Sequence, residues 1–129
     1  MRRTAMYKNI LIADSEPNLT TALAFFLGHA GFRVDCAASY EQAIETARTH
    51  RPDIALIDTL IGGRSGYDLC QALLNLPGMA QLPVLMLTTH GLEVEREKAL
   101  SLGAIDFLVK PFNPGDVLAR VQELLQEAA

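Results

Sequence analysis

Cysteine is scarce in this 129-residue sequence: only Cys36 and Cys70 occur, far apart. That excludes a disulfide framework or a cysteine-based zinc motif, leaving two reduced thiols. No apolar run approaches the ~18 residues a bilayer-crossing helix needs, and residues 1–8 lead into no signal-type apolar stretch. A cytoplasmic protein is therefore expected. Excess positive charge is missing too: eleven Lys and Arg face fifteen Asp and Glu, a net charge of −4. A nucleic-acid surface would normally be basic. Disorder is excluded by composition, half hydrophobic and one-fifth charged. One domain over residues 1–129 is expected, burying about two-thirds of the surface its unfolded form exposes.

What is present is an alternation of two hydrophobic periods. Asn9 to Ala13 (NILIA) is an apolar run of strand length. Leu19, Ala22, Leu23, Phe26, Leu27 and Ala30 then recur at helical spacing and predict one apolar helix face, with Gly28 and Gly31 near its end. Phe32 to Ala38 predicts a second strand. Ser39 and Gln42 have the spacing of a capping box, ahead of a stripe of Tyr40, Ala43, Ile44 and Ala47 that Pro52 closes. Ile54 to Ile57 (IALI) is continuously apolar, as a strand covered on both faces is. A Gly-rich loop at 62–66 leads into a helix carrying Leu69, Leu73 and Leu74, which Pro77 and Gly78 break. Val84 to Leu87 predicts a fourth strand, residues 92–102 a mixed helix stopped by Gly103, and Ile105 to Val109 a fifth strand. Asn113, Pro114 and Asp116 read as N-cap, first-turn proline and first-turn acid of a last amphipathic helix.

Five strands alternating with five helices predict an α/β fold, an open doubly wound parallel sheet with helices on both faces. The three apolar strands, first, third and fourth, should be central. In such sheets ligands bind beyond the carboxyl ends of the strands, where strand order reverses. Asp14, Ser15 and Glu16 follow the first strand, Asp58 the third, Thr88 the fourth, and Lys110-Pro111 the fifth. Any one of these suits capping or solvent exposure. Four separate segments delivering such groups to one rim point to a site. Clustered carboxylates can hold Mg²⁺, which prefers oxygen ligands, and a carboxylate beside it can attack a phosphoryl group. A lysine ammonium and a threonine hydroxyl would stabilise the charge on that group's oxygens. The chemistry implied is aspartyl phosphorylation.

The stretches ILIADSEPN (10–18), PDIALID (52–58), PVLMLTT (83–89) and GAIDFLVKPF (103–112) resemble the receiver domain of bacterial two-component response regulators. The resemblance runs from about residue 8 to 127. It implies a flavodoxin-like sheet of strand order 2-1-3-4-5. It also implies that Asp58 accepts a phosphoryl group from a histidine kinase or phosphotransfer protein. Thr88 would be the switch hydroxyl, Lys110 the partner of the phosphoryl group, and Phe107 the aromatic that rotates inward. Asp14, Asp58 and the main-chain carbonyl of Leu60 would hold Mg²⁺. A cis Lys110–Pro111 bond is implied as well. The output would be a downstream protein partner or a fused effector, with no direct nucleic-acid or membrane contact from this domain and no enzyme activity.

Three departures from the family pattern matter. Ser15 stands where receivers usually place a second acid that contacts the metal. Gly62 and Ser65 replace the usual Pro and Asp after the phosphorylation site, which predicts a looser loop. His90 occupies a position that tunes dephosphorylation, or is simply an exposed histidine. The alternative function is therefore a phosphorylation-independent pseudo-receiver that serves as a protein-binding module. Mg²⁺ can be held by one or two carboxylates with phosphate oxygens and water. Asp14 and Asp58 meet that minimum and Ser15 or Glu16 could act through water, so weakened metal affinity is expected rather than its loss. A haloacid-dehalogenase-like phosphatase would need an acid where Leu60 stands. A flavin carrier would need a phosphate-cradling loop where Glu16-Pro17 stands. A stand-alone regulator and a piece of a longer one both remain open.

Overall fold

The computed structural model describes residues 7–89 and 93–128. Five parallel strands form its main sheet: β1 (Asn9–Ala13), β2 (Arg33–Ala37), β3 (Ile54–Asp58), β4 (Val84–Thr88) and β5 (Asp106–Val109). Their order, β2-β1-β3-β4-β5, is the flavodoxin-like order expected, and it places the three apolar strands inside. Between them run α1 (Pro17–His29), α2 (Tyr40–Thr49), α3 (Gly66–Leu74) and α4 (Glu93–Ser101), with α5 (Pro114–Ala128) last.

The continuous apolar runs follow from burial on both faces. Ile54 and Leu56 of β3 enter one core with Leu23 and Leu27 of α1 and Val117 and Val121 of α5. Ala55 and Ile57 enter the other, with Ala43 of α2, Leu69 and Leu73 of α3, and Ala99 of α4. Successive side chains of a strand point to opposite faces, so a strand between two helix layers must be apolar throughout. Each fully buried Leu or Ile contributes about 1.5–3 kcal/mol. Ser39 caps α2 by accepting from the Gln42 N–H at 3.1 Å, and the Gln42 side chain accepts from the Ala38 N–H at 2.8 Å. The reciprocal bonds expected of that pair are thus present, displaced by one residue on the second arm.

Two local expectations are corrected. The buried face of α1 is Thr20, Leu23 and Leu27, while Ala22, Phe26 and Ala30 are exposed. Thr20 can enter the core because its hydroxyl donates to the carbonyls of Glu16 and Pro17, which removes the cost of burying a polar group. The loop after β3 is not loose coil. Leu60–Ile61 and Arg64–Ser65 pair as a two-residue antiparallel ribbon around Gly62 and Gly63, whose φ values of 56° and 80° suit a tight two-residue turn. Arg64 fastens the ribbon to α2 by stacking over Tyr40 and pairing with Glu41, and Ser65 caps α3.

Cys36 and Cys70 are both free, the first exposed and the second buried. Among the described residues no helix is long and apolar enough to cross a membrane. His90, and the predicted start of the fourth helix at Leu92, lie outside the described residues.

Candidate functional site

Because the main strands are all parallel, their carboxyl ends share one edge, and the site is assembled there. Asp14 leaves β1 with its N–H bonded to the Ala37 carbonyl at 3.0 Å and its side chain almost wholly buried. Its Oδ1 accepts from the Glu16 N–H at 2.9 Å, turning the chain into α1, and its Oδ2 accepts from Lys110 Nζ at 2.9 Å. Asp58 ends β3. Its Oδ1 accepts from the Leu60 N–H at 2.8 Å, and its Oδ2 accepts from Lys110 Nζ. Thr88, also buried, ends β4, and its carbonyl accepts from the Lys110 N–H at 2.6 Å.

The ammonium of Lys110 is thus the hub. It donates to Glu16 Oε1 at 2.8 Å as well, and one oxygen from each of Asp14, Glu16 and Asp58 lies within 4.8 Å of the others. Burial opposes the charge on Lys110, but its hydrogen bonds to Asp14, Asp58 and Glu16 outweigh that and raise its pKa. Burial raises the Asp14 carboxyl above its ordinary value; the Lys110 and Glu16 hydrogen bonds oppose the rise, and the Asp58 charge adds to it. Hard anionic oxygens converging on a positive charge are the donor chemistry that Mg²⁺ selects. The residues present fit that ion.

The structure therefore brings Asp14, Asp58 and Lys110 into direct contact and holds Thr88 beside them through its backbone. Leu60 meets Asp58 through its N–H, and its side chain is exposed. Ser15 is exposed. Phe107 is half-buried against the core under α2, α3 and α4, with the Arg96 guanidinium 5.5 Å from its ring centre. The Lys110–Pro111 peptide bond is cis, as the resemblance implies. Sequence reasoning gave Glu16 only a water-mediated approach to the metal and missed its bond to Lys110. Glu16 is the N-cap residue of α1, yet its side chain makes no cap bond, and it serves Lys110 instead.

Residues 10–122 match the family model of the response regulator receiver domain. The chain belongs to this family. Receivers are signal-transducing domains of two-component systems and typically bind Mg²⁺ at an acidic cluster. This receiver is 35% identical over 123 residues to the phosphate regulon transcriptional regulatory protein PhoB of Rhizobium meliloti, covering 95% of this chain and 54% of that protein. It is also 35% identical to the alkaline phosphatase synthesis transcriptional regulatory protein PhoP of Bacillus subtilis, covering 95% and 50%. The chain thus spans about half the length of these curated relatives. The chemotaxis response regulator CheY4 of Vibrio cholerae superposes with a TM-score of 0.86 at 27% identity, over 92% of this chain and 98% of that one. The BeF3-activated receiver domain of Klebsiella pneumoniae RstA gives 0.83 at 27% identity, again over 92% and 98%.

Proposed function

We propose that this receiver accepts a phosphoryl group on Asp58 from a histidine kinase or phosphotransfer protein. The observation that carries the reading is the convergence of Asp14, Asp58 and Lys110 at one sheet edge, with Thr88 beside them. An Asp58 oxygen attacks phosphorus as the bond to the donor's histidine nitrogen breaks, and the imidazole leaves with that electron pair. Lys110 turns its ammonium to the transferred oxygens, and Thr88 supplies a hydroxyl donor to one of them. Asp14, Asp58 and the Leu60 carbonyl would hold Mg²⁺, which would supply positive charge to neutralise the phosphoryl oxygens. The product is a signal carried by an altered surface, not a released chemical. The reading is of a cytoplasmic transducer rather than an enzyme. Its output goes to a downstream protein or a fused effector; relatives that are transcriptional regulators of about twice this length support the second form.

Ser15 favours the pseudo-receiver alternative, while the presence of Asp58, Thr88 and Lys110 supports phosphorylation. The test is incubation with acetyl phosphate and Mg²⁺, followed by mass spectrometry of the intact protein and its peptides. A phosphoryl adduct on Asp58, absent from Asp58→Asn, is the expected result. An unmodified Asp58 in the wild-type protein would leave the pseudo-receiver as the better reading.

A further inference from the structure

We infer that Glu16 takes over, toward Mg²⁺, the part of the acid missing at position 15. The inference rests on the receiver reading of the same site and gives Glu16 a direct part where the sequence suggests only a water-mediated one. Three observations carry it. Ser15 offers an uncharged hydroxyl, a poor ligand beside the carboxylates that bind hard divalent ions. Glu16 brings its carboxylate within 4.8 Å of those of Asp14 and Asp58, although its side chain is 64% exposed and its neighbours in sequence lead away into α1. A cation already sits at the meeting point. The Lys110 ammonium contacts all three acids and stands in for a metal.

The charge balance points the same way. Three carboxylates against one ammonium leave an excess of two negative charges in the cluster, the complement of one divalent ion. Glu16 is the most exposed of the three, so it can leave Lys110 and turn to a metal with least disruption. The extra methylene of Glu over Asp gives it the reach. Glu16 is already oriented inward, so little side-chain entropy is left to lose.

The experiment is calorimetric titration with MgCl2 of the wild type, Glu16→Gln, Ser15→Asp and the double variant, with Asp58 phosphorylation by acetyl phosphate followed in parallel. Glu16→Gln should weaken Mg²⁺ binding about tenfold, the scale on which metal sites respond to loss of a supporting group. Ser15→Asp should tighten it, and in that background Glu16→Gln should cost little, because the vacant position is filled. A Glu16 that merely holds Lys110 predicts the opposite: releasing the ammonium would leave Mg²⁺ affinity unchanged or higher. A Glu16 that acts only through its long-range field would cost the same in both backgrounds, since independent effects add. Either outcome overturns the inference. If the wild type still accepts the phosphoryl group, the receiver reading survives that failure. If it neither binds Mg²⁺ nor is phosphorylated, both fall.

Discussion

Gly66 is packed against the backbone carbonyl of Asp58: a Cβ at position 66 would stand 1.7 Å from that oxygen and 2.8 Å from its carbon. The Gly66 N–H also donates to the Thr59 carbonyl at 2.8 Å. The first residue of α3 is thereby locked to the end of β3. Its φ is not in the left-handed region, so the requirement is for space rather than for glycine's conformational range. Backbone atoms on both sides cannot yield as a flexible side chain could.

Gly66→Ala should therefore displace Asp58 and cost about 1–3 kcal/mol, the usual range for overpacking. Gly28 makes the control, because a Cβ there meets nothing within 4 Å. Gly28→Ala, within α1, should stabilise by about 0.5–1 kcal/mol through the lower entropy of the unfolded chain. Urea unfolding of the three proteins checks the signs, and acetyl phosphate labelling should slow only in Gly66→Ala. Equal stability of the two variants would mean that the contact at Asp58 relaxes freely.

The raised pKa of Lys110 has a consequence for alkaline stability. As pH rises, the unfolded chain releases this proton first, near the ordinary value of about 10.4. The native state still holds it, because Asp14, Asp58 and Glu16 bond the ammonium. The contribution is whole below about pH 10 and is lost as pH climbs from there toward the folded value. Thermal unfolding between pH 8 and about pH 11 should show a steeper fall for the wild type than for Lys110→Met. Parallel slopes would place the ammonium in solvent. At neutral pH the variant should be the less stable, because the buried Asp14 carboxylate then lacks its cation.

The parts of the fold that a sequence reading reaches are those where one residue's environment is set by topology. Ile54 to Ile57 must be apolar because each faces a helix layer. Asp14, Asp58, Thr88 and Lys110 stand out because each lies at the carboxyl end of a strand. What escapes is set by bonds that hydropathy does not encode. Thr20 joins the core of α1 because its hydroxyl closes on carbonyls one turn back, and Phe26 is left outside. The Gly62–Gly63 pair signals a hairpin turn, but its flanking strands are only two residues each, too short to show a period. The Glu16–Lys110 bond joins residues 94 apart and becomes visible only once α1 and β5 share an edge.

The switch offers the last prediction. Thr88 and Phe107 lie on the adjacent strands β4 and β5, where Thr88 is in register with Val109 and Met86 with Phe107. A phosphoryl group on Asp58 adds acceptor oxygens, and the buried Thr88 hydroxyl gains a bond by moving toward them. Space then opens beneath α4, and the half-buried Phe107 ring can enter it, leaving Arg96. Phosphorylation and partner binding are coupled only as far as the two arrangements differ in affinity for each ligand, typically by 1–3 kcal/mol. Amide exchange across residues 93–112 should therefore change about fivefold or more when beryllofluoride is bound. Thr88→Ala should still accept a phosphoryl group on Asp58 but lose that response. Exchange that responds equally in the variant would show that the signal leaves Asp58 by a route independent of this hydroxyl, with the β3–α3 ribbon, held to α2 by Arg64, as the next element to test.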